Sequence, residues 1–227
     1  MKKKVFIIIG VVIFSCVLAL LPSLKAALDF GTSSLEVKLV ENDTVKDIGD
    51  SILTSLANAK PGIKYNDNIK VKNTGSYSAY VRVTIAKEWQ DASGDKITNL
   101  STDLIDVNIP SSDWIIERNS TYSMGAGTTT AYYKYAIDTD DITSSVIDSI
   151  QITQGANKYI VDSQSQDGNG NTITTIKRKC DGYTAVISIR VDAVQSHNAE
   201  DAILGAWGRP VTITDGVLSL NSNAVDD

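Results

Sequence analysis

Two runs in which apolar and polar residues alternate constrain the fold of this chain most. In residues 69–72 isoleucine and valine alternate with two lysines, and Val81, Val83 and Ile85 alternate with polar or aromatic neighbours. A period of two is typical of β-strands with one apolar face. Because residues 73–76 (Asn-Thr-Gly-Ser) favour a tight turn, the sequence predicts a β-hairpin whose apolar face is covered by a second sheet.

The same alternation recurs along most of the chain. Further strands are predicted at residues 35–40, 104–109, 114–117, 132–135, 146–152 and 185–193, with a second hairpin at residues 157–180 that has a Gly/Asn tip. Roughly nine to eleven strands at this spacing predict an all-β fold. The predicted fold is a two-sheet antiparallel β-sandwich of jelly-roll type with one or two short helices.

Few segments favour a helix. Residues 45–59 fit a short helix or an irregular loop, and residues 199–207 fit a helix that Asn198 caps with its side chain. At the end of that helix Trp207 is predicted to plug one end of the sandwich. After it, residues 209–227 form a tail with one strand pair around Asp215 and Gly216.

The N-terminus has the pattern of a secretory leader. Three lysines at residues 2–4 precede an apolar run over residues 5–21, and a proline and small residues follow. This order predicts a signal peptide over residues 1–26, cleaved after Ala26 or Ala27. An uncleaved membrane anchor and lipidation at Cys16 are the alternatives. The predicted domains are therefore the signal peptide (1–26), the β-sandwich (27–208) and the C-terminal tail (209–227).

The charge of the exported part excludes some partners. The whole chain has a net charge of -6, and four of its 21 basic residues lie in the leader, which leaves 17 against 27 acidic residues, or -10. An acidic surface repels nucleic acid, so no nucleic-acid partner is predicted. Contact with a membrane is predicted only through the leader, before cleavage.

The residues needed for most catalytic sites are scarce. His197 is the single histidine, whereas a zinc protease of the H-E-x-x-H type needs two. Cys180 is the single cysteine of the exported part, and an inert thiol is the simpler reading. No triad, phosphate loop or carboxylate pair can be assembled. We therefore predict no enzyme, no cofactor, and no catalytic or metal-binding residues.

Two acidic loops are candidate calcium sites. Residues 167–171 begin like a calcium-binding loop, but Thr172 stands where glycine is required and Arg178 where glutamate is required. Asp138, Asp140 and Asp141 form the other loop. A plain turn is preferred for the first loop, and a weak calcium site stays an alternative for the second. Trp89 and Trp114 are predicted to pack in the core rather than to stack on a sugar.

Several motifs carry a resemblance to a known family. They are PGIKYNDNIKVKNTGSYSAYVRV (residues 61–83), YYKY (132–135), VQSHN (194–198) and AWG (206–208). In this order they resemble the TasA/camelysin family of exported Gram-positive proteins. The resemblance covers residues 61 to about 208. It implies a biofilm-matrix or surface protein that builds extracellular fibres and is processed by a dedicated signal peptidase.

Three functions follow from the sequence and the resemblance. The first is a secreted structural protein that associates with itself or with related matrix subunits by strand addition, donating residues 28–40 after export. On this hypothesis, trimming the chain to start near Asn42 leaves a folded monomer that forms no filaments. The second is a monomeric adhesin or ligand-binding module of the cell envelope. The third, from the family label alone, is a metalloprotease.

Overall fold

The computed structural model describes residues 11–13, 35–46, 59–119, 127–166 and 172–221. Within these ranges the protein is mostly β, with one α-helix and several antiparallel sheets, which confirms the predicted all-β character. The strands are β1 (Val11–Ile13), β2 (Val37–Glu41), β3 (Thr44–Lys46), β4 (Lys64–Asn73), β5 (Ala79–Gln90), β6 (Lys96–Ile97), β7 (Ile105–Asn108), β8 (Trp114–Asn119), β9 (Gly127–Tyr133), β10 (Ile147–Ile152), β11 (Tyr159–Gln166), β12 (Thr172–Arg178), β13 (Thr184–Gln195), β14 (Val211–Thr214) and β15 (Val217–Leu220). Helix α1 spans Ala199–Trp207 and lies between β13 and β14.

Two large sheets form the body of the protein. In sheet A the strand order is β1-β13-β5-β9-β8, with β6 beside β5. In sheet B the order is β3-β2-β4-β10-β7. All of these strand pairs are antiparallel except β1–β13, which is parallel. The hairpins β11–β12 and β14–β15 form two further sheets.

The hydrophobic core lies between the two large sheets. Ile69 and Val71 of β4 and Val83 and Ile85 of β5 all belong to one buried cluster. The apolar residues of the two strands therefore face the same core from two different sheets. Each large aliphatic side chain buried here contributes about 1.5–3 kcal/mol to the free energy of folding. Trp89 belongs to the same cluster, as does Trp114.

The predicted hairpin over residues 68–85 is wrong in its pairing. β4 pairs with β2 and β10 in sheet B, whereas β5 pairs with β13 and β9 in sheet A. The five residues 74–78 thus carry the chain from one sheet to the other as an arch. The buried Asn73 side chain holds this corner: Nδ2 donates to the carbonyl oxygens of Tyr77 (2.7 Å) and Ile137 (2.9 Å), and Oδ1 accepts from the Gly75 N–H (3.0 Å).

A second apolar cluster covers part of the outer face of sheet A. Tyr80 and Tyr132 of that sheet pack with Ile203 of α1 and with Val211 and Leu218 of the β14–β15 hairpin. Residues 211–220 of the predicted tail thus pack against the body. Their hairpin turns at the predicted point, Asp215 and Gly216, which have φ of 51° and 78°. Positive φ at both central residues suits a two-residue hairpin turn.

Trp207 was predicted at the end of the sandwich, and the structure places it on the outer face of sheet A instead. Its ring lies 5.9 Å from the ring of Tyr132 and 5.1 Å from the Arg82 guanidinium carbon. The helix bounds were predicted correctly, but the side chain of Asn198 makes no capping bond. Asn198 has a left-handed backbone conformation instead, with φ of 50°.

Some sequence predictions fall outside the described residues. These are most of the leader, the tip of the second hairpin at residues 167–171, and the helix or loop at residues 47–58. Residues 45 and 46, the start of that last segment, belong to strand β3. In the described ranges no helix has the length and apolar character required to cross a membrane.

Candidate functional site

The outer border of β13 is the first candidate site, because it accepts a strand. β13 pairs along its whole length with β5 on one side. On its other side Val11–Ile13 pairs in parallel with Ile189, Arg190 and Val191. These three N-terminal residues belong to the predicted leader, so its cleavage would leave the main-chain N–H and C=O groups of this border open to another strand.

The composition of β13 favours such pairing. Ile187, Ile189 and Val191 point into the core, and Val194 is buried on the opposite face against the outer cluster. The strand has two charged residues, Arg190 and Asp192, and the Asp192 carboxylate lies 2.9 Å from the Arg190 guanidinium and 2.9 Å from Nε of Arg82. A long, mostly apolar border strand without prolines is a template for a further strand.

The opposite side of the body has a cleft between β7 of sheet B and β8 of sheet A. Its volume is about 410 Å³. The floor is apolar and the rim is polar. The lining residues are Ile85, Lys87, Asp103, Ile105, Asp106, Val107, Ile109, Arg118, Gly127, Thr128 and Thr129.

Lys87 is the chemically distinctive residue of this cleft. It follows Val83 and Ile85 on the inward face of β5, and its Nζ donates to the carbonyl oxygen of Ile105 at 2.7 Å. Burial lowers the pKa of its amine, and the nearby Asp103 and Asp106 carboxylates partly oppose that effect. Lys87 is not among the residues predicted for a site from the sequence. The sequence does contain a signal for it: Lys87 stands at an alternate position after Val83 and Ile85, where a further apolar residue is expected.

Close packing positions the Lys87 side chain. A Cβ added at Gly127 would lie 2.8 Å from Oγ1 of Thr102 and 3.2 Å from Cε of Lys87, so a larger residue would displace them. The Lys87 ammonium donates to a main-chain carbonyl oxygen of β7. That oxygen is then less available to accept a hydrogen bond from a further strand. Of the two border strands β13 and β7, β13 is therefore the better acceptor.

The structure separates the residues considered for catalysis. His197 lies exposed before α1, while the neighbouring Glu200 carboxylate accepts from the Ile213 N–H at 2.6 Å. Cys180 is 5% exposed, and burial raises the pKa of its thiol. A raised thiol pKa disfavours the nucleophilic thiolate. Neither residue forms a site with the other.

The calcium alternatives differ in their outcome. Asp140 lies with its Oδ1 3.1 Å from Nζ of Lys72, so a cation already faces the Asp138–Asp141 turn. Among the residues that the structure describes, no three His, Cys, Asp or Glu side chains are grouped as metal ligands. Residues 167–171 lie outside the described ranges.

The tryptophans predicted for the core are found there. Trp89 is fully buried, and its Nε1 donates to the Ser101 carbonyl oxygen at 3.0 Å. Trp114 is 1% exposed and stacks at a tilt on Tyr133, with ring centroids 4.9 Å apart. Neither ring is presented to a ligand on the surface.

Comparison with known proteins gives no independent identification. No family model, no curated protein and no solved structure matches this chain. The resemblance to the TasA/camelysin family therefore stays a prediction from the quoted motifs.

Proposed function

We propose that this protein is a secreted, non-enzymatic structural subunit of the cell surface or the biofilm matrix. It assembles when a strand of a neighbouring copy or of a related matrix subunit adds to the border of β13. One observation supports this above all: at that border β13 pairs in parallel with Val11–Ile13, a segment of the predicted leader. Removal of the leader by a signal peptidase then exposes the border, so processing precedes assembly.

The donor segment is shorter than the sequence predicted. Residues 37–40 of the expected donor, 28–40, belong to β2, which pairs with β3 and β4 inside sheet B. The main-chain oxygen of Glu36 also accepts from the Thr74 and Gly75 N–H groups at 2.9 and 3.0 Å. We therefore assign residues 28–34, which lie outside the described ranges, as the segment donated to the next copy.

The proposal includes the finer fold and the family. We infer that the two sheets are connected in the jelly-roll manner and that the protein is a member of the TasA/camelysin family. The order of the motifs over residues 61–208 supports the family. The two large sheets with a shared core support the sandwich.

Removing the donor tests the proposal. A chain that starts at Leu28 is expected to form filaments visible by negative-stain microscopy, and a chain that starts at Leu35 is expected to stay a folded monomer. The physical reason is that residues 28–34 are absent from the second chain while β2 and its partners remain. Replacing Leu28 and Phe30 by serine is expected to reduce filament formation, with Ser33→Ala as the neutral control. Filaments formed by the chain that starts at Leu35 would refute the donor assignment.

A second function is favoured by the cleft between β7 and β8. Its apolar floor with Lys87 and Arg118 at the rim suits a small ligand that has an apolar part and a polar head. A monomeric ligand-binding module of the cell envelope would have such a site. Saturable ligand binding by a processed chain that stays monomeric would select this function over the first.

A further inference from the structure

Strand β4 sets the distance between two chemically different ends of the body. Its ten residues extend over about 30 Å at the usual rise of a strand. Near its start, the Gly62 N–H donates to the Ile152 carbonyl oxygen, where the chain approaches the β11–β12 hairpin. At its last residue, Asn73, the main chain bonds to Asp140 and Asp141 at 2.9 and 3.0 Å.

The first end has a basic hairpin, which we call the basic arm: β11, β12 and the flanking Lys158 and Lys179. The cations at its base are Lys158, Lys177, Arg178 and Lys179. They are concentrated here although the chain as a whole has a net charge of -6. Two acidic residues are close to these cations in sequence: Asp162, within β11, and Asp181, whose carboxylate accepts from the Arg178 main-chain N–H at 3.1 Å.

Apolar side chains are exposed next to these cations. Tyr159 is 64% exposed, Ile160 40% and Ile176 58%. Tyr159 lies opposite Arg178 and Ile160 lies opposite Lys177 in the register of the hairpin. Within the described ranges, β11 and β12 pair only with each other. Exposed apolar residues grouped among charges are typical of an interaction surface.

The other end of the body has the complementary character, and we call it the acidic end. Asp138, Asp140 and Asp141 are all exposed there. Two large apolar side chains accompany them, Ile142 at 46% and Tyr77 at 40% exposure. Lys72 already pairs with Asp140 at 3.1 Å, so Asp138 and Asp141 supply the negative charge that the acidic end offers beside its apolar surface. The basic arm offers positive charge beside apolar surface.

We propose that the basic arm of one copy docks on the acidic end of the next copy. The inference rests on the proposed structural function and names a second copy as the partner. Because the two surfaces differ and lie at opposite ends of β4, the contact is heterologous and continues from copy to copy along that strand. Exposed charges attract over about 8 Å at physiological ionic strength, so added salt weakens the contact.

Charge reversal at each end tests this contact in the chain that starts at Leu28. Lys158→Glu with Arg178→Glu, or Asp138→Lys with Asp141→Lys, is expected to raise the concentration needed for half-assembly by about tenfold or more, because like charges then face each other. Sedimentation velocity measures the assembly. Combining all four substitutions restores opposite charges across the contact and is expected to restore assembly.

Controls separate this inference from the proposed function. Lys96→Glu with Asp201→Lys likewise reverses two exposed charges, here one of each sign and neither of them in the basic arm or the acidic end, and is expected to leave assembly unchanged. Melting temperatures verify that every variant folds. If the wild type assembles and neither charge reversal changes its assembly, this inference is wrong while the proposed function stands. Failure of the fourfold variant to reassemble would also overturn this inference. A wild-type chain that stays monomeric at all concentrations would overturn the proposed function and this contact together.

Anionic lipid is the rival partner for the basic arm. Vesicles of phosphatidylglycerol, with phosphatidylcholine vesicles as the neutral control, provide the probe. If Lys158→Glu with Arg178→Glu abolishes vesicle binding but leaves self-association unchanged, the arm is a membrane-binding element and the proposed contact is wrong. Loss of self-association without any vesicle binding by the wild type supports the contact.

Discussion

A chain that starts at Asn42 is expected to be unfolded. The truncation removes β2, which pairs with β3 on one side and β4 on the other. It also removes the buried side chains of Val37, Leu39 and Val40. Deleting one large core side chain typically costs about 2–5 kcal/mol. Three such losses, together with the lost strand pairing of β2, are about as large as the 5–15 kcal/mol by which a folded domain is typically stable.

Circular dichroism and thermal melting measure this outcome. The chain that starts at Leu35 is the matched control, because it keeps β2 and is expected to melt cooperatively. The sequence alone predicted a folded monomer for the chain that starts near Asn42. A cooperative transition in that chain, at the melting temperature of the control, would show that β2 is dispensable and would contradict the described sheet.

Asn73→Asp is expected to lower the free energy of unfolding by about 2–6 kcal/mol. The amide of Asn73 is fully buried and donates to the carbonyl oxygens of Tyr77 and Ile137. A carboxylate cannot donate to either oxygen, and each buried group left without its partner costs about 1–3 kcal/mol. The substitution therefore destabilises the arch that connects the two sheets.

Urea denaturation provides the measurement for this substitution. Ser76→Ala is the control in the same turn, since Ser76 is exposed and such changes usually stay within about 0.5 kcal/mol. Asn73→Ala is expected to destabilise as well, because it removes the same two donors. Equal stability of Asn73→Asp and the wild type would mean that the corner is held by other contacts.

The sequence predicted where strands lie better than which strands pair. The alternation around Val71 and Val83 is the same whether the two strands form a hairpin or face each other across a core. The arch is distinguished by its pairing partners, because β4 pairs with β2 and β10 whereas β5 pairs with β13 and β9. A short turn motif in the sequence does not contain that information.

The sequence likewise predicted the local elements of the candidate surfaces but not the contacts between distant segments. The hairpin of the basic arm and the helix after Asn198 follow from local patterns, and both were predicted. The place of Trp207 depends on contacts with Arg82 and Tyr132, which are distant in sequence. The cleft around Lys87 likewise requires that β5 and β7 meet, and the sequence does not state this.

Amide hydrogen exchange along β13 tests the central claim most directly. In an antiparallel pair about half of the N–H groups of β13 bond to β5, and the others face the free border. In the processed monomer the border amides of residues 184–195 are expected to exchange rapidly, and assembly is expected to slow them by about tenfold or more. Exchange at these amides that is equally rapid in monomer and filament would show that copies associate through a different surface.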